Sequence, residues 1–414
     1  MPDSRLAPAS APNAAPAPLG LYIHWPFCVS KCPYCDFNSH VAGELDEAAW
    51  LRSMCDELDH MAGIAAETSS TDNVRLDTIF FGGGTPSLMP PQIVSAVINK
   101  AATLFSFADN IEITAEANPN SAEMKQMKSF HSAGINRLSL GIQSLDNEGL
   151  AFLGRAHSVD EACKALEQAL GLFERVSADL IYGLPEQSAA EWQEQLTRII
   201  GFGIRHLSAY QLTIEPGTIF HSRTRAGSIL TAEPDHVADL YELTEDITAA
   251  AGLPAYEVSN YAAAHHQARH NLTYWRSGNW IAVGPGAHGR ITYPDQQKRR
   301  HFRLRRSPQG WLNDVAQNGH AIEEDRTETA REMYEEYWMM GLRLVSGMPL
   351  TPPFLAQDPF LAHEMAPPAS ALCLDADWQA RFCEEGWLIE ESGYLMASLA
   401  GRMRLDYMLC KLLG

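Results

Sequence analysis

The 414-residue sequence contains no stretch of 18 apolar, uncharged residues, which excludes a membrane-spanning helix. Basic residues are scarce: 31 Lys and Arg stand against 51 Asp and Glu, a formal net charge of −20. Surfaces that hold nucleic acid or anionic lipid need clustered cations, so neither partner is expected. One run departs from this balance, Lys298-Arg299-Arg300-His301-Phe302-Arg303-Leu304-Arg305-Arg306. It reads as a solvated loop or hairpin rather than an anion site. A disulfide framework is missing as well. Of the eight cysteines, Cys55, Cys163, Cys373, Cys383 and Cys410 are scattered singly through apolar or helical stretches, as small buried hydrophobes are. That usage fits a reducing compartment, and a cytoplasmic location is expected. Residues 1–19, rich in Ala, Pro and Ser without an apolar core segment, read as a disordered tail rather than a secretory signal.

The other three cysteines form one group, Cys28-Val29-Ser30-Lys31-Cys32-Pro33-Tyr34-Cys35, spaced C-x3-C-x2-C after a strand-like Leu21-Tyr22-Ile23-His24. Three thiolates can hold three irons of an iron–sulfur cube and leave the fourth open, whereas ferredoxin clusters use four cysteines. An open iron points to a cluster that acts on something bound to it. The alternative is a structural zinc site completed by His24 or His40. Zinc sites are usually built from two separated ligand pairs, and no second Cys-x2-Cys follows. Further along, the apolar run Asp77-Thr78-Ile79-Phe80-Phe81 ends in Gly82-Gly83-Gly84-Thr85-Pro86. Glycines there let backbone groups approach a ligand with no Cβ in the way.

Strands are expected near 20–24, 77–81, 111–116, 136–141, 176–182 and 205–212, alternating with amphipathic helices. Ser158 with Glu161 and Ser188 with Glu191 match capping boxes; Asn120 opens a helix towards Gly134. Gly134 and Gly171 stand where left-handed helix stops belong. Strands alternating with helices imply an α/β domain with a parallel sheet and right-handed crossovers. A complete barrel of this kind needs eight units, so a partial (β/α)6 barrel over 20–225 is expected, with its site at the carboxyl strand ends. Those ends carry polar groups, among them Glu116, Gln143 and Asp179.

A mixed α+β extension over 226–325 follows, with a helix near 232–251 and the segment His270-Asn271-Leu272-Thr273-Tyr274-Trp275. The C-terminal part, 326–414, begins with a helix over 327–344 and ends as helix, hairpin, helix, the hairpin turning at Glu391-Ser392-Gly393. This resembles a winged-helix module, but its acidic surroundings make it a packing unit rather than a DNA reader.

The cysteine spacing, the glycine run and the polar strand ends together resemble the radical S-adenosylmethionine (SAM) enzymes. In that family the open iron of a [4Fe–4S] cluster chelates the methionine end of SAM, and one electron splits the sulfonium to give a 5′-deoxyadenosyl radical. The resemblance is greatest to the oxygen-independent coproporphyrinogen III oxidase group, and within it to the HemW-type heme chaperones. Tyr22-Ile23-His24-Trp25-Pro26-Phe27-Cys28 and Cys35-Asp36-Phe37-Asn38-Ser39-His40 carry it. It implies that Cys28, Cys32 and Cys35 ligate the cluster and that Tyr22 and Tyr34 lie beside it. Gly83, Gly84 and Thr85 would hold the methionine end, while Glu116, Gln143, Arg155 and Asp179 bind the cofactor's polar groups. The oxidases carry a further cysteine two residues past the third ligand, where this chain has Phe37.

The chaperone-like members share the Phe and the His-Asn-x-x-Tyr-Trp motif. That implies heme near His270, Tyr274 and Trp275, with His265 and His266 close in sequence. The implied activity is delivery of heme to recipient hemoproteins of the respiratory chain, with a homodimer and peripheral membrane association left open. Decarboxylation in porphyrin synthesis and radical methyl transfer are the rival activities, since fold alone does not fix function.

Overall fold

The computed structural model describes residues 19–41, 43–67, 74–293, 298–352 and 372–414. The tail expected over 1–19 lies, apart from Leu19, outside them. Six central strands form where the apolar runs predict them: β1 (Leu19–Trp25), β2 (Arg75–Gly83), β3 (Ser106–Ala117), β4 (Arg137–Gln143), β5 (Arg175–Tyr182) and β6 (His206–Gln211). Each pairs in parallel with the next. Side chains alternate between the two faces of each strand. Leu21, Ile23, Ile79, Phe81, Ile113, Leu138 and Leu140 are buried in the main core with residues of the helices Glu47–Ala66, Pro91–Leu104 and Val159–Leu172. The intervening residues, Tyr22, Phe80, Glu116, Ser139 and Asp179 among them, line the concave inner face.

Both capping boxes are present, Ser158 with Glu161 and Ser188 with Glu191. Each such cap contributes about 1 kcal/mol to its helix. Asn120 Oδ1 accepts from the Glu123 N–H at 3.0 Å as expected. The helix it opens is divided, Ser121–Met124 and then Met127–Ala133, before Gly134 ends it at φ 111°. Gly171 is not a stop. That helix continues to Leu172 and ends at an extended Phe173, whose buried ring against His131 leads the chain straight into β5.

The extension adds strands to both edges of the central sheet. On the β6 side lie β7 (Ala255–Glu257) and β8 (Asn260–Ala262), antiparallel. On the β1 side β9 (Asn279–Val283) pairs in parallel, followed by antiparallel β10 (His288–Tyr293), β11 (Lys298–Leu304) and β12 (Ile322–Glu328). The result is one 12-stranded sheet, in the order β12-β11-β10-β9-β1-β2-β3-β4-β5-β6-β8-β7. The basic run is thus the strand β11 of a hairpin, and β12 answers its charges. Arg300 pairs with Asp325 at 2.7 Å and Arg303 with Glu323 at 2.9 Å, while Arg305, just past β11, pairs with Asp314 on the helix Pro308–Asn318.

The helix Arg269–Trp275 crosses beneath the barrel between the two edges, at the amino ends of the strands. Its first N–H groups, on Arg269 and His270, donate to Glu112 at 2.8 and 3.3 Å. Glu112 is fully buried and also paired with Arg137 at 3.3 Å and Arg175 at 3.4 Å. The expected C-terminal helix spans Ala330–Gly341 and builds a second apolar core with the closing helices. The hairpin there turns through Ser392 (φ 53°) and Gly393 (φ 79°), and Met348–Pro349 adds a third strand to it. No helix among the described residues is long and apolar enough to cross a membrane.

Candidate functional site

The cluster loop, the glycine run and the polar strand ends meet at one rim, above the carboxyl ends of β1 to β5. The loop leaves β1 through a short strand, Phe27–Cys28, which pairs with His40–Val41 and so returns the chain beside its start. Cys28, Cys32 and Cys35 are half-buried free thiols. The Cys32 carbonyl accepts from the Cys35 N–H at 3.2 Å, which curls the segment so that all three face the rim. Burial pushes the Cys28 and Cys35 thiols above their ordinary range, with repulsion from Cys32 added. Such thiols ionise only against a cation, as iron ligation supplies.

Zinc fits less well. Among the described residues no trio of His, Cys, Asp or Glu converges closely enough to grip one ion. A cube several times wider than an ion does not require that convergence. His24 is also unavailable as a fourth ligand. Its Nε2–H donates to the Asn38 carbonyl at 3.0 Å, and its Nδ1 accepts from the Tyr22 hydroxyl at 3.1 Å. Burial lowers the His24 pKa to about 4, so the ring stays neutral.

The glycine run is a close-approach device. Gly83 has φ +114°, and a Cβ there would lie 2.6 Å from His24 Cε1. A Cβ on Gly84 would lie 2.9 Å from the Phe27 carbonyl oxygen and 3.0 Å from Cys28 Sγ. Only glycine lets the end of β2 slide under the cysteine loop, where the Gly84 N–H donates to the Trp25 carbonyl at 2.8 Å and Thr85 N–H to Phe27 at 2.9 Å. Gly83→Ala carries roughly 1–3 kcal/mol of backbone strain before the clash with His24 is counted. SAM affinity of this variant, measured by equilibrium binding, is expected to fall by about ten-fold or more. Wild-type affinity would show that the run does not touch the cofactor.

The strand ends supply the rest of the cradle. Glu116 accepts from the Gly83 N–H at 3.2 Å, and burial beside Asp179 pushes its carboxyl up to about 8. Asp179 accepts from Ser139 Oγ at 2.7 Å and Ser177 Oγ at 3.0 Å; burial raises its pKa too. Two neighbouring carboxyls without a cation between them are suited to hydroxyl and ammonium groups of a ligand. Gln143 ends β4 at φ +68°, a conformation non-glycine residues rarely adopt and that clusters at binding sites. Arg155 reaches Cys32 Sγ from Nη1 at 3.4 Å, while its Nη2 donates to the Gly141 carbonyl at 3.2 Å and to Asn118 Oδ1. Burial pushes the Tyr34 hydroxyl up, and the charge of the Arg155 guanidinium draws it back down. Tyr22 stacks on Phe80 below the rim, ring centroids 6.2 Å apart.

His270 lies elsewhere. Its ring sits in the base of the barrel, stacked on Phe80 at 5.0 Å, and both nitrogens are engaged. Nδ1 meets Thr78 Oγ1 at 2.8 Å and Nε2 meets the Tyr274 hydroxyl at 2.7 Å. Burial lowers its pKa to about 3. Tyr274 packs edge-on against Trp280 at 4.7 Å, and Trp275 lies under the Arg343 guanidinium at 4.6 Å. The motif therefore closes the barrel from below, and neither His270 nitrogen is free to meet a heme iron. His265 is exposed with φ 67°, and His266 contacts Arg205 at 3.3 Å. Sequence reasoning missed His24 as the pivot between Tyr22 and the cluster loop, and Asn38, Asn118, Ser139 and Ser177 as its supports. The serines had a signal, since polar residues recur there at every second position of otherwise apolar strands.

A partial parallel barrel with a three-cysteine loop over a glycine strand end defines a radical SAM protein. The family model for the radical SAM superfamily matches residues 22–199. Heme chaperone HemW of Escherichia coli (strain K12) is 36% identical over 380 residues, 91% of this chain and 96% of that protein. Radical S-adenosyl methionine domain-containing protein 1, mitochondrial, of Bos taurus is 38% identical over 343 residues, 81% of this chain and 76% of that one. Among solved structures, coproporphyrinogen III oxidase (HemN) from Escherichia coli superposes with a TM-score of 0.77 at 19% identity, covering 96% of this chain and 90% of that one, which speaks to fold alone. The chain belongs to the HemW group of the radical SAM superfamily. Membership implies a [4Fe–4S] cluster and SAM, and the free thiols and glycine cradle fit both.

Proposed function

We propose that this protein is a heme chaperone that carries heme and passes it to recipient hemoproteins, with respiratory-chain cytochromes as recipients and the cytoplasm as its place of action. The carrying observation is the similarity to heme chaperone HemW of Escherichia coli, which spans 96% of that protein's length. Phe37 supports it, standing 57% exposed on the loop where the resembling oxidases carry a further cysteine. The filled interior also favours it, because Tyr22, Phe80 and His270 occupy the barrel below the rim.

In this reading Cys28, Cys32 and Cys35 hold the cluster, and Gly83, Gly84 and Thr85 meet the methionine end of SAM. Glu116, Gln143, Arg155 and Asp179 receive the cofactor's polar groups. When bound, the cluster is a one-electron donor to SAM. The chain's own part is positional. His24 ties the cluster loop to β1 through Asn38, and Arg155 lays positive charge beside Cys32. Glu116, desolvated beside Asp179, keeps a proton at the strand end near neutral pH.

The test uses anaerobically reconstituted protein. Heme-loaded protein mixed with an apo-cytochrome is expected to transfer heme, read as conversion of the Soret band after the two proteins are separated. With SAM, reductant and coproporphyrinogen III, chromatography is expected to find no protoporphyrinogen. Multiple turnovers of the decarboxylation would overturn the chaperone reading in favour of an oxidase.

A further inference from the structure

The polar row on the inner face of the sheet does not stop at the cofactor cradle. Asp179 on β5 is level with Ser208 on β6, Ser208 with Asn260 on β8, and Asn260 with Glu257 on β7. Residues paired across strands share a face, so the row runs on for three strands, about 14 Å at a strand spacing of about 4.8 Å. Ser177 Oγ, which donates to Asp179, also meets Ser208 Oγ at 3.2 Å. Tyr210 stands two residues past Ser208 on the same face and is 42% exposed. Tyr22, Phe80 and His270 fill the β1–β2 half of the barrel, whereas this half offers polar groups and an open aromatic ring.

The row ends on Arg343, just past the helix Ala330–Gly341. Its guanidinium lies over the Trp275 ring at 4.6 Å. Nη2 stands 3.8 Å from Glu257 Oε2, an ion pair too long for a hydrogen bond. Glu257 is completely buried, and its Oε1 accepts from the Ser259 N–H at 3.1 Å and from Asn260 Nδ2. Glu257 Oε2, Asn260 Oδ1, Trp275 Nε1 and Arg343 Nε are all buried without a hydrogen-bond partner among the described residues. Nearly all buried polar groups in native proteins are satisfied, so four in one chain of contacts point to a partner that this chain does not supply.

The guanidinium sets the chemistry of that partner. It is held flat on the indole and steadied at one edge by Glu257, yet its side chain keeps 30% of its surface open. A planar guanidinium fixed in this way receives a carboxylate through two parallel hydrogen bonds. Burial pushes the Glu257 carboxyl up despite the nearby cation, so its unpartnered oxygen can carry a proton and donate it to the same anion.

We propose that Arg343, laid on Trp275 beside Glu257 and Asn260, is the anchor for a heme propionate at the junction of the barrel and the C-terminal part. The porphyrin then lies along Tyr210 at the β6 edge, reaching towards the cradle at Asp179. The inference rests on the reading of the chain as a heme carrier. It gives Trp275 a part in heme binding as the support of Arg343, while His270 stays in the closed base.

The experiment is a titration of the full-length, anaerobically reconstituted protein with heme and, separately, with heme dimethyl ester, whose propionates carry no charge. Both are followed by the Soret band. The wild type is expected to prefer heme over the diester by about ten-fold or more. Arg343→Ala is expected to bind the two with equal affinity, as weakly as the wild type binds the diester. Iron and sulfide analysis with far-UV circular dichroism identifies a variant that has not folded, and Arg343→Gln, which keeps a donor for Glu257, then takes its place. A folded Arg343 variant that keeps the wild-type preference, or a wild type that shows none, overturns the anchor and leaves the chaperone reading standing. A wild type that binds neither compound overturns both.

Discussion

Cys32→Ala is expected to leave the reconstituted protein without the broad visible absorbance of an iron–sulfur cluster, with iron and sulfide near background. The rim holds three cysteines, and Cys55, Cys163, Cys373, Cys383 and Cys410 come from other parts of the chain and cannot substitute. The two thiols left behind, Cys28 and Cys35, are held above their ordinary range by burial, so neither ionises readily alone. The variant also deprives Arg155 of its sulfur partner. Anaerobic reconstitution with iron and sulfide quantitation, next to far-UV circular dichroism, separates cluster loss from unfolding. A folded variant with near wild-type iron content would show that the cluster assignment is wrong.

The largest stability effect is expected from Glu57→Ala. Glu57 is completely buried on the helix Glu47–Ala66 and accepts three hydrogen bonds. The donors are the Gly284 N–H at 2.8 Å, Trp311 Nε1–H at 2.8 Å and the Ala321 N–H at 3.0 Å. Alanine leaves all three donors buried without an acceptor, each worth about 1–3 kcal/mol. A loss of about 3 kcal/mol or more in denaturant unfolding is expected. A wild-type midpoint would mean that the junction rearranges freely.

The same carboxyl predicts a pH dependence. Burial pushes Glu57 up to about 7 from an unfolded value of 4.5. The folded state therefore binds this proton more tightly than the unfolded chain. The stability it contributes is fully present below pH 4.5 and is lost as pH rises through about 7. Glu57→Gln should flatten that part of the stability profile.

The six central strands and the capping boxes were legible because each is a local pattern, an apolar run or a Ser-x-x-Glu. The cofactor rim was legible for a related reason: parallel strands gather their carboxyl ends whatever the loops do. The flanking strands were harder. β7 and β8 are three residues each, too short for periodicity, and β11 hides under its charges, which only β12 explains. Glu57 was invisible because its partners lie more than 220 positions away, and nothing near it in sequence marks it. Gly171 misled for the opposite reason, a local stop signal overruled by burial of Phe173. His270 shows a third limit. A motif can be read without error and still give no hint of whether it faces a ligand or plugs a floor.

The borders of the central sheet, at β1 and β6, are both sealed by one stretch of chain, Ala255 to Val283. During synthesis this fixes a timetable. The ribosome has made β1 through β6 by Gln211, yet the piece that seals them is complete only at Val283. In that interval the nascent barrel carries two raw borders of unpaired backbone groups, the kind that join strands of other chains. Translation at about 5–20 residues per second makes the exposure last several seconds. Slow codons between 212 and 283 would lengthen it, so the yield of soluble protein should depend on how quickly that span is translated.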